Sequence, residues 1–200
     1  MIVLKIGGSL FDSAGPLLRM VAGEGMDVLV VPGGGSFADK VRDVYRTRGV
    51  SDDAAHWMAL LAMDQYGYYL SDKAGLPLTD VVKGQGPRIA LAYEMLRKDD
   101  ALPHSWAVTS DTIAAYLAFK TKARFVKATD VDGVFCDGRL LETVSASALQ
   151  GMEETCVDRA LPRFLIEHGI DAFVVNGLCV PRVIAAIQGK KTTGTLIKGK

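Results

Sequence analysis

The chain of 200 residues contains few cysteines, no excess of charge and no long apolar run. Its three cysteines are widely spaced and odd in number, which argues against a disulfide framework and against a cysteine-based metal site. Lysine plus arginine and aspartate plus glutamate each number 23, whereas a dedicated nucleic-acid-binding protein usually has a basic excess. No apolar stretch reaches the ~18 residues that a membrane helix requires, and the amino terminus lacks a signal-peptide pattern. We therefore expect a cytoplasmic protein that binds neither nucleic acid nor a membrane.

The composition and the order of predicted elements favour a single α/β domain. Hydrophobic residues make up 49% and charged residues 23%, as in ordinary globular proteins. Predicted strands and helices alternate, which is typical of a mostly parallel sheet covered by helices. The predicted strands are 2–6, 27–31, 88–92, 106–108, 124–128, 172–175 and 193–197, and the predicted helices are 17–22, 37–48, 54–73, 110–120, 156–168 and 180–188. The helix over 54–73 is apolar on nearly every face, which predicts burial within the fold or at a subunit contact.

Two glycine loops follow the first two predicted strands, and a lysine lies inside the first strand. In an open parallel sheet, loops at the carboxyl ends of strands line the ligand crevice. Gly7-Gly8 and Gly33–Gly35 lack side chains, so phosphate oxygens can approach their backbone N–H groups closely. Lys5 interrupts an apolar strand and needs an anionic partner if it is buried. An edge-strand lysine that reaches solvent is the alternative, but the neighbouring glycines favour a phosphate partner.

Other polar positions can serve either structure or function. Asp111 begins a predicted helix, where the helix dipole alone favours an acid. The segment Thr129–Gly133 (TDVDG) follows a strand and can be an Asx-rich turn. His56 lies on an apolar helix, where a core histidine with one hydrogen bond and a contact to an acceptor phosphate are both open. Asp137-Gly138 predicts a hairpin turn.

Several motifs, taken in one order, resemble those of the amino acid kinase superfamily. They are Lys5–Ser9 (KIGGS), Val31–Ser36 (VPGGGS), Ser110-Asp111 with Ala114 and Ala115, Thr129–Val134 (TDVDGV), Asn176-Gly177 and Gly194–Ile197 (GTLI). The resemblance covers nearly the whole chain. It implies a three-layer αβα sandwich around a mainly parallel sheet of about eight strands, in a homodimer or larger homo-oligomer. It also implies an enzyme that uses ATP and Mg²⁺ to phosphorylate a small anionic molecule.

The resemblance further implies roles for individual residues. Lys5 would contact the transferring phosphoryl group, and Asp111 would orient that lysine. The residues that would bind ATP are Gly7, Gly8, Ser9, Lys127, Thr129, Asp130, Asp132 and Gly133, and those that would hold the acceptor are Gly33, Gly34 and Gly35. The acceptor-binding part would span about residues 1–105 and the nucleotide-binding part about 106–200. No side chain is assigned as a metal ligand.

One residue expected from the family is missing. Many members carry a second lysine before their penultimate strands, but the corresponding segment here, Glu154–Pro162, has Asp158 near that position. Losing a cation that spans the phosphates should slow the transfer unless another group replaces it. Lys127, Arg159 and Lys198 are the candidate substitutes.

Asp158 also indicates a branch of the family. Together with segments 54–59 and 106–111, it resembles the short archaeal-type kinases of methanofuran biosynthesis, which convert an aminomethylfuran-methyl phosphate to its diphosphate. The carboxylate of Asp158 would then pair with the ammonium group of the acceptor, which a lysine would repel. His56 would contact the acceptor phosphate. Aminomethylfuran-methyl phosphate is therefore the acceptor that the sequence favours.

Other functions stay open at this point. A kinase for another phosphate or carboxylate acceptor fits the same motifs. A non-catalytic protein that binds or stores a nucleotide or an oxyanion on the same fold would explain the missing lysine. A dinucleotide-dependent oxidoreductase is disfavoured, because neither glycine loop reads G-x-G-x-x-G.

Overall fold

The computed structural model, which describes residues 1–152 and 155–200, has an eight-stranded sheet at its centre. The strands of this sheet are β1 (Ile2–Ile6), β2 (Val28–Pro32), β3 (Leu78–Thr79), β4 (Arg88–Ala90), β5 (Arg124–Thr129), β8 (Thr143–Ser145), β9 (Ala172–Asn176) and β10 (Thr195–Lys198). A separate hairpin consists of β6 (Phe135–Cys136) and β7 (Arg139–Leu140). The strand order is β3-β4-β2-β1-β5-β9-β10-β8, and every neighbouring pair is parallel except β9 and β10. The predicted fold class is confirmed.

Helices cover both faces of this sheet. They are α1 (Ala14–Gly23), α2 (Gly35–Arg48), α3 (Asp52–Ala74), α4 (Ala92–Lys98), α5 (Ser110–Thr121), α6 (Ala146–Gln150), α7 (Leu161–His168) and α8 (Val180–Gln188). The buried apolar side chains form two clusters, one that includes α4 to α7 and one that includes α1 and α8. Helix α3 contributes Leu60 to the first cluster and Tyr66 to the second. This double burial explains why α3 is apolar on nearly every face.

Strand β1 lies inside the sheet and directs alternate side chains to the two faces. Leu4 and Ile6 belong to the cluster of α1 and α8, whereas Val3 belongs to the cluster of α4 to α7. Because side chains alternate along a strand, Lys5 points to the same face as Val3, where α5 packs. Only 6% of Lys5 is exposed. The alternative of an edge-strand lysine is wrong, since β2 and β5 pair with β1 on its two sides.

The carboxyl ends of β1, β2 and β5 meet at a point where the strand order reverses. From β1 the chain proceeds to β2 on one side, and β5 joins on the other side. In open α/β sheets, ligands bind in the crevice at such a point. The half of the sheet that contains β1 to β4 comes from residues 2–90, and the other half comes from residues 124–198. The expected division into an acceptor-binding part and a nucleotide-binding part stays a prediction.

Two predicted elements differ from the structure. Residues 106–108, predicted as a strand, form a turn in which the Ala107 amide donates to Ser105 Oγ. The helix predicted from residue 156 begins only at Leu161, because Pro162 suits a first turn and the Leu161 amide donates to Asp158 Oδ1 at 2.8 Å. Glu154, in the segment of the missing lysine, lies outside the described residues.

The predicted hairpin turn at Asp137-Gly138 is confirmed. Both residues have positive φ, 47° and 74°, as a tight turn between β6 and β7 requires. None of the helices in residues 1–152 and 155–200 has the length and the apolar character that crossing a membrane would need.

Candidate active site

The two glycine loops are in direct contact at the carboxyl edge of the sheet. Strands β1 and β2 are parallel neighbours, so the loops that follow them leave the sheet side by side. A Cβ atom on Gly8 would lie 2.6 Å from the Cα atom of Gly35, and Gly35 itself has a φ of 51°. The Gly33 amide donates to the Ile6 carbonyl at 2.8 Å and joins the loops. The backbones approach so closely that a side chain at Gly8 would separate them.

A cavity of about 640 Å³ opens in front of these loops. Six of the predicted site residues line it, namely Lys5, Gly8, Ser9, Gly34, Gly35 and His56. The amino-terminal parts of α2 and α3 and the loop before α5 complete the wall. The volume suits a small metabolite.

Lys5 belongs to a buried group of three charges. Its Nζ atom lies 2.8 Å from Asp111 Oδ1, and the Nζ atom of Lys127 lies 2.5 Å from Asp111 Oδ2. Lys5 and Lys127 face each other across β1 and β5, while Asp111 reaches them from the first turn of α5. Lys127 also donates to the carbonyl of Cys156. The sequence predicted the link between Asp111 and Lys5, but it did not predict that Lys127 shares the same carboxylate.

Burial and the neighbouring charges shift the pKa values of this group in opposite directions. Burial alone would raise the pKa of Asp111, but Lys5 and Lys127 outweigh it and hold that pKa well below its ordinary value. Burial lowers the pKa of Lys5, Asp111 opposes this effect, and Lys127 adds to it. The two lysine side chains therefore share one carboxylate. Of the two, Lys5 lines the cavity, which places a basic group where an anion can bind.

The Asp158 carboxylate holds two helices together by accepting hydrogen bonds from their first turns. Its carboxylate accepts five hydrogen bonds, from the amides and hydroxyls of Thr109 and Thr112 and from the Leu161 amide. It therefore caps the beginnings of both α5 and α7, and the Asp158 amide donates to Asp111. The expected pairing of Asp158 with a substrate ammonium finds no support in this geometry, because its oxygens are already occupied and it does not line the cavity.

The candidate substitutes for the missing lysine lie in different places. Lys127 is buried beside Lys5. Lys198 is the last residue of β10. Because β10 runs antiparallel to β9, this end of β10 lies on the side of the sheet away from the carboxyl ends of β1, β2 and β5. Lys198 therefore cannot reach the cavity. Arg159 is exposed and does not line it either. Lys127 is the one of the three that lies beside Lys5, and its role as a substitute stays a prediction.

Part of the expected nucleotide-binding set lies beside the first glycine loop. The Gly7 amide donates to the carbonyl of Ala128, which places this loop against the end of β5. Burial raises the pKa of Asp130, but hydrogen bonds from Ser9 and Thr129 help to lower it below its usual value. Asp130 is nevertheless exposed. Its nucleotide-binding role, and that of Thr129, stay predictions.

Asp132 and Gly133, the remaining residues of the expected nucleotide-binding set, contact other parts of the protein. Asp132 accepts hydrogen bonds from Asn176 at 2.9 Å and from Arg182 at 2.7 Å. A Cβ atom on Gly133 would lie 2.3 Å from Thr195 Oγ1, so this glycine allows β10 to pack against the turn. Both residues lie beyond the carboxyl end of β5, outside the cavity wall. Their contact with a nucleotide stays a prediction.

His56 lines the cavity and stacks on His104, with ring centroids 4.0 Å apart. Burial lowers the pKa of His56, and the neighbouring His104 adds to this effect. The Nε2 atom of His56 is buried and has no hydrogen-bond partner in the described residues. The alternative of a core histidine held by one hydrogen bond is therefore not supported.

Sequence reasoning missed several polar and aromatic residues of the cavity wall. Asp39 and Arg42 lie on α2, Asp52 begins α3, and Trp106 lies in the turn before α5. Arg42 forms an ion pair with Asp39 at 2.6 Å and lies over the Trp106 ring. The spacing of Asp39 and Arg42 on one helix face could have suggested the pair. No sequence pattern predicts that Trp106 lies beside this ion pair.

Comparison with known protein families identifies the family of this chain. Residues 1–176 match the family model described as the amino acid kinase family. The chain belongs to the amino acid kinase family. Its matched relatives are kinases, and it is a kinase.

The kinase resembles two curated proteins along almost its whole length. It is 32% identical to the [5-(aminomethyl)furan-3-yl]methyl phosphate kinase of Methanocaldococcus jannaschii, over 98% of this chain and 97% of that protein. It is 25% identical to the uridylate kinase of Thermofilum pendens, with the same coverage. Among solved structures, the uridylate kinase of Archaeoglobus fulgidus superposes with a TM-score of 0.73 at 20% identity, over 98% of this chain and 100% of that chain. That superposition supports the fold.

Proposed function

We propose that this kinase transfers the γ-phosphoryl group of ATP to a phosphomonoester, and that its acceptor is aminomethylfuran-methyl phosphate. The observation that carries the proposal is the buried Lys5 ammonium, which lines a cavity shared by two touching glycine loops. The relative from Methanocaldococcus jannaschii, 32% identical, supports this choice of acceptor.

The chemistry is an in-line displacement at phosphorus. An oxygen of the acceptor phosphate forms a bond to the γ-phosphorus, the bond to the β–γ bridging oxygen breaks, and ADP leaves with that electron pair. The products are ADP and the acceptor's diphosphate. The Lys5 ammonium and the N–H groups of the glycine loops would compensate the charge on the transferring group. Mg²⁺ would bind mainly to ATP and neutralise phosphate charge, and Asp130, an exposed carboxylate beside Ser9, suits an ion that prefers oxygen ligands.

Another part of the cavity wall supports an acceptor with a positive group. There the carboxylates of Asp39 and Asp52 line the wall together with the Trp106 ring. Asp39 is already paired with Arg42, whereas Asp52 accepts only the hydroxyl of Tyr45, at 2.5 Å, in the described residues. Asp52 is therefore the carboxylate free to pair with the ammonium of an aminomethyl group. The furan ring would lie against Trp106.

A panel of acceptors tests the proposal. We would follow ADP release and the ³¹P spectrum of the products with ATP, Mg²⁺ and each of three acceptors: aminomethylfuran-methyl phosphate, its des-amino analogue and UMP. We expect diphosphate formation with the largest kcat/KM for the amino compound. Equal values for the amino and des-amino compounds would contradict recognition of the ammonium group. Absence of ADP release with every acceptor would favour a protein that only binds nucleotides or oxyanions.

UMP is the second candidate acceptor. The 25% identical relative is a uridylate kinase, which favours a nucleoside monophosphate. The acidic residues of the cavity wall argue the other way, because UMP has no cationic group to pair with Asp52. A larger kcat/KM for UMP would exclude the furan acceptor and leave the phosphoryl transfer itself intact.

A further inference from the structure

Two histidines and an aspartate converge beside the acceptor cavity, outside the group of Lys5 and Asp111. His56 comes from the second turn of α3, and Asp100 and His104 come from the loop between α4 and α5. Each side chain offers one ligand atom, and these atoms all lie within 4.8 Å of one another. We propose that His56, Asp100 and His104 form a binding site for a late first-row divalent cation such as Zn²⁺.

The hydrogen bonds of His104 match the pattern of a metal-bound imidazole. Its Nδ1 atom lies 2.5 Å from Asp53 Oδ1, and its Nε2 atom lies 2.8 Å from Asp100 Oδ1. Metal-bound histidines generally donate their second N–H to a carboxylate, which fixes the tautomer and directs the other nitrogen to the ion. Asp53 occupies that supporting position. The Nε2 atom and the Asp100 oxygen would then bind the same cation.

His56 supplies an available third ligand. Its Nε2 atom is buried without a hydrogen-bond partner in the described residues, and the side chain is 8% exposed. A buried polar nitrogen without a partner costs free energy that a bound cation would recover. The His56 and His104 rings are stacked nearly parallel, at an interplanar angle of 14°, so their lone pairs do not converge in this arrangement. The His56 ring would have to turn towards the ion, and it lines the cavity, which leaves it room to do so.

The ligand types select the class of metal. Two imidazoles and one carboxylate are typical ligands of Zn²⁺ and its neighbours, whereas Mg²⁺ prefers oxygen ligands and water. Ligands of a tetrahedral Zn²⁺ site lie about 3.3 Å apart, given bond lengths of about 2.0–2.2 Å. Asp100 Oδ1 lies 2.8 Å from His104 Nε2. The Asp100 side chain is 46% exposed and can move the few tenths of an ångström that an ion between these two atoms requires. This ion would be distinct from the Mg²⁺ that accompanies ATP.

A cation at this site would affect the structure of the cavity wall. The loop that carries Asp100 and His104 continues through Ser105, Trp106 and Thr109, which line the acceptor cavity. A cation bound to this loop and to α3 would fix the cavity wall. Without a metal, the His104 ring is held between the carboxylates of Asp53 and Asp100.

Titration with Co²⁺ distinguishes the metal-bound state of this site from the metal-free state. The kinase is stripped with a chelator, titrated with Co²⁺ under visible absorption, and then titrated with Zn²⁺ by calorimetry, with thermal unfolding measured at each end point. We expect one equivalent of Co²⁺ with the intense absorption of a tetrahedral site, displaced by Zn²⁺. Asp100→Asn and His104→Ala should weaken binding at least tenfold, and Asp53→Asn should weaken it by about 10–100-fold. Because Asp53 and Asp100 are exposed, these variants should fold.

His168→Ala is the matched control, because this histidine packs on Phe119 and Phe164 away from the cavity. It should bind the metal like the parent kinase. Absence of tetrahedral Co²⁺ absorption in the parent kinase would overturn the proposal, as would equal affinity in Asp100→Asn and the parent. Nitrogen-15 spectra in which His104 stays doubly protonated in the presence of Zn²⁺ would overturn it as well.

Discussion

At the scale of single residues, the arrangement around Lys5 explains how a lysine can be buried and still serve an anion. An isolated buried ammonium would lose its proton, but Asp111 stabilises the charged form. Lys127 binds the other oxygen of the same carboxylate, so Lys5 shares Asp111 with a second lysine. Lys5 lines the cavity, where a transferring phosphoryl group would be its second anionic partner.

Asp52 is expected to determine the preference for an amino acceptor. Asp52→Asn should raise KM for aminomethylfuran-methyl phosphate about tenfold, which corresponds to about 1.4 kcal/mol of lost pairing. It should leave KM for the des-amino analogue unchanged. Steady-state kinetics with both acceptors checks this, and Asp72→Asn, at an exposed position on the same helix, serves as control. An equal rise in KM for both acceptors would show that Asp52 does not recognise the ammonium.

Asp64 is expected to make stability depend on pH. Burial raises the pKa of Asp64 to about 6, against hydrogen bonds from the Tyr93 and Ala92 amides. Because the folded state holds this proton more tightly than the unfolded chain, Asp64 adds stability as the pH falls from about 6 towards 4. Asp64→Asn should therefore raise the free energy of unfolding by about 1–2 kcal/mol at pH 7, after allowance for solvent screening.

Urea unfolding of the parent kinase and Asp64→Asn at pH 7, 6, 5 and 4 checks this prediction. The difference in the free energy of unfolding between Asp64→Asn and the parent should shrink as the pH falls, since protonated aspartate and asparagine are both neutral. A difference that is constant over this range would contradict the raised pKa.

At the scale of elements, the two loops at the carboxyl ends of β1 and β2 are the feature that sequence reasoning predicted best. Their glycine runs follow short β-branched strands, so both the turn and the close approach are encoded locally. The start of α7 was predicted wrongly because Asp158 caps it through side-chain contacts with α5. The short helices α4 and α6 and the strands β3, β6, β7 and β8 were missed, because so few residues carry no clear periodicity.

Gly8 is expected to tolerate no side chain. Gly8→Ala should force the two loops apart, because its Cβ would lie 2.6 Å from the Gly35 backbone. We expect a loss of about 1–3 kcal/mol in stability, and higher KM values for both ATP and the acceptor. Thermal unfolding and steady-state kinetics measure these effects. Gly23→Ala is the matched control, because its Cβ would meet nothing within 4 Å, and it should unfold and react like the parent.

Asp158 is expected to stabilise α5 and α7 and not to select the acceptor. Asp158→Ala removes five hydrogen bonds and should lower the free energy of unfolding by about 2–4 kcal/mol. Asp171→Ala, which removes the single bond from the Gly199 amide, should cost about 1 kcal/mol. Equilibrium unfolding in urea compares the two variants. A selective loss of affinity for the amino acceptor in Asp158→Ala would restore the ammonium-binding role that the sequence indicated.

At the scale of the whole molecule, the sheet brings distant segments to one edge. The family resemblance predicted a mainly parallel sheet of about eight strands but not their order, and the topology places β1 between β2 and β5. The composition of the cavity wall could not be predicted, because Arg42, Asp52 and Trp106 meet only when α2, α3 and the loop before α5 pack together. The same holds for His56 and His104. The homodimer stays a prediction that sedimentation velocity can check.

The most direct test of the central claim compares turnover and ATP binding in Lys5→Ala. Removing Lys5 leaves Asp111 paired with Lys127, so the variant should fold. We expect kcat for phosphoryl transfer to fall by about 10²–10³-fold, while the Kd for ATP changes less than about tenfold, because the lost charge acts mainly on the transition state. Lys40→Ala, at an exposed position on α2, should match the parent. An unchanged kcat in Lys5→Ala would contradict the assignment of this cavity as the site of phosphoryl transfer.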